Sequence, residues 1–350
     1  MAYTDIDDPS AYFGTTLYTG NETARAITFD GNSDLDVDWI WLKSRSASGN
    51  HHVYDTVRGT QKHLRTNLTN VEGTNGGTDG VTAFGSNGFT VGANTGSNQS
   101  GVTFVGWGWK AGTTSIPSGG SLAPTAVSIN ATSGFGIYKY TGNGAGVRTI
   151  AHGLGVIPKM IIVKKLDGAI DWAVYNASLP LSNHLELNNT DAATASNIWW
   201  TSRPTSSLIH FDGNNQVNGS GSTYVAYVFA DVQGYSKFSS YTGNGNVDGT
   251  FVYTGFKPAF FLWKQSSASG QQWYMQDNKR NLFNPSNNFL QPSNSDAEYT
   301  GTDYPIDFLS NGIKIRNTSA HINASGATYI YMAFAENPLV TSTGVPATAR

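Results

Sequence analysis

The sequence predicts an all-β protein made of three tandem β-sandwich modules of jelly-roll or lectin-like type. Glycine supplies 40 of the 350 residues, and turn-forming residues separate short aromatic and β-branched runs, as is typical of strands. Two phrases also recur in a fixed order. Tyr-Thr-Gly-Asn begins at Tyr18, Tyr140 and Tyr241, and Asn-x-Ser-Gly-x-Thr begins 80, 78 and 82 residues later, at Asn98, Asn218 and Asn323.

This repeat indicates how large one module is. A period near 100 residues is too long for solenoid or propeller repeats, so we expect each module to have its own core and to fold nearly alone. We predict six to eight strands in each module, arranged as a sandwich.

Each module is expected to begin with an aromatic strand that runs into the Tyr-Thr-Gly-Asn turn. A strongly apolar strand that ends in lysine comes next, at Trp39–Lys43, Met160–Lys164 and Phe260–Lys264. Because these runs have no polar side, we predict strands that are buried on both faces. A shorter strand should complete a hairpin in each module, starting near His52, Trp172 and Trp273.

The middle of each module is polar and variable, and we expect it to hold the long loops. Asn87-Gly88 and Asn311-Gly312 are hairpin-turn dipeptides and predict one more strand after each. The closing strand carries aromatic residues at even spacing, which places them on one face: Phe104–Trp109, Tyr224–Phe229 and Tyr329–Phe334.

These patterns set the predicted boundaries. They are an N-terminal arm at 1–10, module 1 at 11–112, a linker at 113–133, module 2 at 134–233, module 3 at 234–338 and a C-terminal tail at 339–350. The linker is rich in Gly, Ser, Thr and Pro, so we expect it to be semi-flexible. Only a few residues, around 231–234, join modules 2 and 3, and their relative orientation should be more fixed.

Composition excludes several classes of function. The net charge is −3, so the sequence lacks the excess of positive charge that binding to nucleic acid or to an anionic membrane requires. Cysteine is absent, so disulfides, thiolate zinc sites and thiol nucleophiles are excluded. The first residues lack the features of a signal peptide, and no run approaches the length of a membrane span. We expect a product that is made in a cytoplasm and does not insert into membranes.

Residues 30–36 read Asp-x-Asn-x-Asp-x-Asp, the alternating oxygen ligands of a calcium loop. However, Leu35 stands at the sixth position, where an EF-hand needs glycine, and Trp41 stands at the twelfth, where it needs glutamate. The other modules contain nothing similar. We therefore interpret this segment as a solvated turn.

Module 1 also contains a group of residues that could be interpreted as a metal site, namely His51, His52, His63 and Asp55. Adjacent residues of a strand point to opposite faces, which separates the first two rings. In module 3 we take Gln271 and Gln272 as their counterparts. Ordinary strand and loop histidines are the better interpretation, and we predict no metal and no cofactor.

A glycosidase would need two carboxylates about 5–10 Å apart. The recurring acids are Asp55 and Asp277, which are followed three residues later by Arg58 and Arg280, whereas module 2 has Asn176 at this point. A turn-forming Asp–Arg pair explains this pattern more simply than an acid/base couple. No catalytic triad order, nucleophile elbow or phosphate-binding loop is present. We predict that the protein is not an enzyme.

Most tryptophans and tyrosines fall in predicted strands and should form the core. Trp199 and Trp200 differ, because they lie in the variable part of module 2. An exposed ring there could stack on a sugar or anchor a protein interface, and these two residues are our candidate binding residues. Structural packing is the alternative.

Four segments carry a resemblance to a known family: Asp38–Lys43, His51–Arg58, Phe104–Gly112 and His152–Lys164. They resemble a module common in virion proteins of marine tailed bacteriophages, such as cyanophages and pelagiphages, and the resemblance covers nearly the whole chain. These proteins are usually described as tail-fibre or other structural proteins. The resemblance implies a virion location and transfers no catalytic residues.

We therefore expect a tail-fibre or adhesin component that binds a host-surface glycan or protein receptor. A rigid β array with variable loops suits such a part, and repeated weak sites gain avidity. Other virion proteins are the expected partners, and a homotrimer is the expected oligomer. A capsid decoration or head-fibre protein is the alternative within the same particle. A polysaccharide-degrading enzyme is the alternative from another class.

Overall fold

The computed structural model describes residues 3–76, 79–93, 95–196 and 202–348. Its regular structure is almost entirely antiparallel β-sheet, which confirms the predicted all-β fold. The helices described in these ranges are a 3₁₀ turn, Pro9–Ala11, and one short turn, α1, Thr95–Asn98. No helix in the described parts of the chain is long and apolar enough to cross a membrane.

Module 1 contains nine strands. They are β1 Phe13–Thr19, β2 Arg25–Ile27, β3 Trp39–Ser44, β4 His52–Asp55, β5 Lys62–Arg65, β6 Gly73–Thr74, β7 Val81–Gly85, β8 Gly88–Val91 and β9 Thr103–Trp109. A large sheet has the order β1-β9-β3-β4-β5-β6, and a small sheet has the order β2-β8-β7. The predicted hairpin is β3–β4, and the strand expected after Asn87-Gly88 is β8.

Module 2 repeats this plan. Its strands are β10 Ala126–Asn130, β11 Phe135–Thr141, β12 Arg148–Ala151, β13 Pro158–Lys165, β14 Ala173–Asn176, β15 Asn183–Glu186, β16 Thr194–Ala195, β17 Leu208–Phe211 and β18 Thr223–Ala230. The large sheet has the order β10-β11-β18-β13-β14-β15-β16, and β12 pairs with β17.

Module 3 has seven described strands. They are β19 Ser236–Thr242, β20 Phe251–Tyr253, β21 Phe256–Gln265, β22 Trp273–Asp277, β23 Ile306–Leu309, β24 Gly312–Ile315 and β25 Thr328–Pro338. The larger sheet has the order β19-β25-β21-β22, and the smaller has the order β20-β24-β23. Modules 1 and 2 exceed the predicted six to eight strands because short edge strands such as β6 and β16 extend their large sheets.

The two repeated phrases meet in each module. Tyr18 stacks on Phe104 across β1 and β9, with ring centroids 5.2 Å apart. The same stacks join Tyr140 to Tyr224 at 5.2 Å and Tyr241 to Tyr329 at 4.8 Å. The asparagine of the second phrase also accepts a 3.0 Å hydrogen bond from the turn of the first, in the pairs Asn98–Asn21, Asn218–Asn143 and Asn323–Asn244. The constant spacing therefore reflects one strand pair and its turn.

The central strand of each large sheet is buried on both faces, as predicted. In β3, Ile40 and Leu42 face the small sheet and pack with residues such as Phe89. Trp39 and Trp41 point to the other face and belong to a different core cluster. Since side chains alternate along a strand, one apolar run contributes to two cores.

That second cluster is shared by all three modules. It includes Trp107 and Trp109 of module 1, Tyr227 and Phe229 of module 2, and Met332 and Phe334 of module 3, all from the closing strands. Trp39 stacks on Tyr227 with centroids 4.7 Å apart, and the rings of Trp109 and Phe334 lie 5.6 Å apart. Each module therefore has an outer core of its own, but each large sheet also relies on its neighbours to cover its second face. That a single module folds nearly alone stays a prediction.

The modules are arranged with approximate threefold symmetry. Three equivalent backbone hydrogen bonds cross the three seams in a cyclic order: Glu72 N to Leu166 O at 2.8 Å, Ala193 N to Ser266 O at 2.9 Å, and Glu298 N to Arg45 O at 2.8 Å. In each of these bonds, the N–H lies in the region that follows the hairpin of one module. The carbonyl lies just beyond the end of the central strand of the next module. Main-chain contacts thus extend the symmetry of the side-chain core.

The segment at 113–133 differs from the semi-flexible linker that its composition predicts. It contains β10, which pairs with β11 at the edge of the large sheet of module 2. Thr113 forms a β-bridge with Ile129, and Leu122 is buried. Val127 and Ile129 are alternate apolar residues within the polar run, and burying them fixes the segment on module 2.

The ends of the chain also pack against the body. Ile6 lies in the shared core, and Thr4 Oγ1 donates a 2.8 Å hydrogen bond to the carbonyl of Gln233. In the C-terminal tail, Ser342 N donates to Asp7 Oδ1 at 2.6 Å. Over the residues described, the predicted arm at 1–10 is therefore held against the body, and the tail at 339–350 is held against the arm.

The lysine that ends each central strand is fully buried near a seam. Lys43, Lys164 and Lys264 each donate from Nζ to the carbonyl of the following residue, at 2.8, 2.9 and 3.1 Å. Lys164 and Lys264 also donate across the seam, to Thr69 O at 3.1 Å and Thr190 O at 3.3 Å. Burial lowers the pKa of each lysine to about 8, and nearby carboxylates offset only part of this effect.

These lysines predict an unusual dependence of stability on alkaline pH. Their pKa is about 8 in the folded protein and near 10.5 in the unfolded chain. Between these values the unfolded chain binds more protons, so the free energy of unfolding should rise from pH 8 to 10. Each lysine contributes at most about 1.4 kcal/mol per pH unit. Urea unfolding at fixed ionic strength measures this rise.

Above about pH 10 the trend should reverse, because burial raises the pKa of tyrosines such as Tyr138 and Tyr140 and only the unfolded chain ionises them readily. Lys264→Met should remove about one third of the rise. A free energy of unfolding that stays constant between pH 8 and 10 would contradict the prediction.

Candidate functional site

Trp199 and Trp200, the predicted binding residues, lie outside the described residues. The chain before them is described up to Ser196, whose Oγ lies 3.0 Å from His184 Nδ1. Both of these residues line a cleft in module 2. The last described residue before Trp199 and Trp200 therefore lines a cleft, and equivalent clefts occur in the other two modules.

The three clefts share one position in the repeated sheet. Arg65, Glu186 and Gln291 each follow a buried leucine that pairs with the β4-type strand, namely Leu64, Leu185 and Leu290. Arg65 lines cleft 1, of about 320 Å³, Glu186 lines cleft 2, of about 220 Å³, and Gln291 lines cleft 3, also of about 220 Å³. One backbone position thus presents a cation, an anion or a neutral amide.

A ring from the next module fixes the backbone at this position. Trp172 Nε1 donates to Arg65 O at 2.9 Å, and Trp273 Nε1 donates to Glu186 O at 2.8 Å. His51 is the counterpart of these tryptophans and faces the backbone of Gln291, but its Nε2 does not reach hydrogen-bond geometry. The carbonyl at the shared position is therefore structural in two modules, and its side chain is left free to vary.

Cleft 1 is polar and carries a cation. Its lining includes Arg65, His52, Ser44, Asn50 and Asn75, and no carboxylate lies among its described lining residues. Arg65 Nε is buried without a hydrogen-bond partner in the described structure. Burial, with the nearby His63 and Arg65, lowers the pKa of His52 to about 3, so this ring is neutral at ordinary pH. Arg65 therefore supplies the positive charge of the cleft.

Cleft 2 has the opposite character. Glu186 and Asp191 line it, together with His184 and Gln216. Gln216 Nε2 donates to Glu186 Oε1 at 3.2 Å. Burial acts to raise the pKa of Glu186, but the hydrogen bonds from His184 and Gln216 lower it below its ordinary value. This cleft keeps an ionised carboxylate that its own module already satisfies.

Cleft 3 combines aromatic rings with carboxylates. Tyr299 stacks on Phe289 with centroids 4.8 Å apart and is 38% exposed. Its hydroxyl donates to Asp303 Oδ2 at 2.6 Å, and this bond raises the pKa of Tyr299. The ring of Tyr304 also contacts Phe289, with centroids 4.9 Å apart. Rings and acidic hydrogen-bond acceptors of this kind are common where proteins bind sugars.

Sequence reasoning missed these clefts, although one signal was available. Arg65 lies 22 residues after Lys43, and Glu186 lies 22 residues after Lys164. In module 3 the spacing from Lys264 to Gln291 is 27, because the loop between Arg280 and Leu290 has four more residues than its counterpart and the segment from Lys264 to Asp277 has one more. Aligning the modules on their lysines would have shown that this position changes charge.

The acidic segment 30–36 is irregular and bends at residues 31–33. Leu35 and Val37 are buried, whereas Asp34 and Asp36 are exposed. Asp30 forms a 2.8 Å ion pair with Lys279 of module 3. Within the described ranges, no group of three or more His, Asp or Glu side chains is placed to hold a metal ion.

The histidines separate as their adjacency predicts. His51 lies on the shared-core side and accepts a 3.0 Å hydrogen bond at Nδ1 from Trp41 Nε1. His52 faces outward, and its ring centroid lies 5.4 Å from that of His63. The proposed counterparts Gln271 and Gln272 are wrong. The strand register aligns Asp55 with Asp277 and therefore places Trp273 and Tyr274 at these positions.

The recurring Asp–Arg pairs close turns inside the protein. Arg58 donates to Asp55 through Nε at 2.5 Å and through its backbone N at 2.8 Å, and both side chains are completely buried. Tyr227 of module 2 donates to the same carboxylate at 2.7 Å. Asp277 and Arg280 repeat this arrangement, with Trp107 of module 1 as the donor at 3.0 Å.

Module 2 lacks the ion pair. It has Asn176 and Leu179 at the matching positions, and Met332 of module 3 replaces the ring donor. Each aspartate thus links two modules and lies away from the three clefts. The pairs close turns inside the protein and accept hydrogen bonds from neighbouring modules. This agrees with our interpretation of them as turn-forming Asp–Arg pairs.

The chain belongs to the DUF7483 family, a domain of unknown function, whose model matches residues 8–338. No curated protein and no solved structure shows significant similarity to it. This match extends across all three modules. The family is therefore defined on the three-module body and not on one repeat.

Module 2 provides a natural control for the buried ion pairs. Asp55→Asn should lower the free energy of unfolding by about 3–5 kcal/mol, because Arg58 would remain buried without its counter-ion. The double variant Asp55→Asn with Arg58→Leu copies Asn176 and Leu179 and should lose much less than the sum of the two single variants. Chemical denaturation measures this coupling in a double-mutant cycle. Additive losses would show that the pair is not coupled.

Proposed function

We propose that the protein is a structural component of a tailed-bacteriophage particle, a tail-fibre or adhesin part that binds the host surface through its clefts. The observation that carries this proposal is the set of three clefts at equivalent positions on one body, each with different chemistry. A scaffold that keeps its core constant while its recognition positions vary is typical of binding proteins. The resemblance to virion proteins of marine phages supports the particle location.

The two ends of the body differ in a way that suits an adhesin. Phe13, Phe135 and Ser236 begin the first strands of the repeated pairs, and the connections between modules meet at this end. Ile6 and Pro338 also lie there, so both termini leave from the same end. The Tyr-Thr-Gly-Asn turns and the buried lysines mark the opposite end, where cleft 1 opens beside Ser44. Attachment through the termini would leave the opposite end free.

The shared core suits a particle part that must survive outside a cell. Three sheets packed on one another bury more apolar surface than three separate modules would, and this replaces the cross-links that a cysteine-free chain cannot form. Fixed clefts on one rigid body can also act together, so weak individual binding becomes strong attachment.

One chain already places three modules around a common core. A homotrimer, the oligomer expected from sequence, is therefore not needed to create a threefold platform. It stays a prediction, and the mass of the native protein tests it. A threefold body also fits a capsid decoration protein, which is the second candidate.

Location on the particle tests the proposal most directly. We expect antibodies against the full-length protein to label the tail fibres or tail tip in electron micrographs of intact phage. Labelling of the capsid lattice would favour the decoration protein. Particles that lack the protein altogether, checked by mass spectrometry, would refute a virion role.

The predicted ring platform gives a second test. Trp200→Ala in the purified protein should weaken its competition with phage adsorption by roughly 2- to 10-fold, the range expected for losing one stacking contact. Phe283→Ala is the matched control, because Phe283 is 78% exposed and lines none of the three clefts. Equal competition by both variants and the native protein would exclude Trp200 as a platform.

A further inference from the structure

We propose that cleft 1 binds the anionic group of a saccharide, a carboxylate or a sulfate ester, through Arg65. This assignment rests on the proposed adhesin function for its biological meaning, since it names the class of ligand that one of the clefts takes. The chemistry of the cleft can be tested independently of the particle.

Arg65 carries hydrogen-bond donors that no described residue accepts. A guanidinium carries five N–H donors and no acceptor. Arg65 Nε is buried and has no hydrogen-bond partner, and no ion pair involves Arg65 within the described structure. The Nη nitrogens of Arg65 also have no hydrogen-bond partner among the described residues and are not buried, so they can donate to a molecule in cleft 1. Carboxylate and sulfate oxygens match the planar fork of arginine.

The other two modules show that this position does not require an unpaired side chain. Glu186 is held by Gln216 at 3.2 Å and is also bonded by Asn189. Gln291 is bonded by Asn294 within its own loop. Arg65 differs: its backbone carbonyl accepts hydrogen bonds from Trp172 Nε1 and Leu68 N, but its side chain has no hydrogen-bond partner among the described residues. Its side chain contributes nothing to the seam, which leaves ligand binding as its role.

The rest of cleft 1 selects a saccharide. Ser44, Asn50, Asn75 and Gln99 line it with hydroxyl and amide groups, which hydrogen-bond sugar hydroxyls. Its volume of about 320 Å³ is within the range of small-ligand pockets. Because no carboxylate lies among the described lining residues, an incoming anion meets no like charge.

A polyanion such as nucleic acid fits less well. Binding of a phosphate backbone requires a stripe of several cations, and the protein has a net charge of −3. In cleft 1 the single charged residue among the described lining is Arg65. The geometry therefore suits one anionic substituent on an otherwise neutral sugar.

The test uses the full-length protein and three small probes: glucuronate, glucose 6-sulfate and glucose. Calorimetric or NMR titration should show binding of at least one anionic sugar, with glucose at least tenfold weaker. Comparing the two anionic probes identifies whether the carboxylate or the sulfate is preferred. Arg65→Gln should reduce the affinity about tenfold or more, as expected for loss of a charged hydrogen bond.

The chain itself provides variants that should fold. Gln and Glu occupy this position in modules 3 and 2, so Arg65→Gln and Arg65→Glu should keep the native melting temperature, and Arg65→Glu should abolish binding of the anion. Arg148→Gln, on module 2 and away from the cleft, is the matched control and should bind like the native protein. Equal affinity of native protein and Arg65→Gln, or equal binding of glucose and the anionic sugars, would overturn the assignment.

These outcomes are separable from the proposed function. If the protein binds glucuronate through Arg65 but is absent from phage particles, the adhesin proposal fails and the cleft assignment stands. If it is found on the tail while Arg65→Gln binds the anionic sugars like the native protein, only the cleft assignment fails.

Discussion

The structure depends on one constraint: the central strands of the large sheets are apolar on both faces. A single small sheet can cover only one of these faces, so the other must be covered by the neighbouring modules. Three modules satisfy one another in a closed arrangement, and each of the strands β3, β13 and β21 contributes to an outer core and to the shared core. The apolar alternation within a strand thus determines how whole modules associate.

The seams combine this apolar contact with buried charged groups that are hydrogen-bonded, namely the lysines and the Asp–Arg pairs. Lysines at one end and Asp–Arg pairs at the other fix the modules in register, because an unpaired buried charge is costly. The symmetry is incomplete where the sequence changes: Asn176 Nδ2 is buried without a partner in the described structure, at the place where two other modules have an ion pair. Contacts between modules also shape the clefts, because the rings of Trp172 and Trp273 donate hydrogen bonds to the carbonyls of Arg65 and Glu186 in the preceding modules.

The sequence was informative wherever a local pattern dictates structure. The apolar runs that end in lysine, the even spacing of aromatics before Trp109 and the Asn-Gly turns each predicted a strand that the structure contains. The segment at 113–133 was misjudged, because its turn-forming composition concealed the alternation of Val127 and Ile129. The clefts were missed for a different reason. Arg65, Glu186 and Gln291 look like unrelated polar residues until the strand register places them at one position.

By itself, the sequence determined the all-β class, the three repeats, the central strands and the Asp–Arg turns, because each depends on residues that are neighbours along the chain or on the period of a strand. Tertiary structure decided how the modules share a core, why lysines can be buried and which polar residues line a cleft. These features depend on contacts between residues of different modules, which are 74 positions apart for Lys264 with Thr190 and 107 apart for Trp172 with Arg65. No local pattern encodes such contacts, since the same apolar face could have been covered by a partner chain.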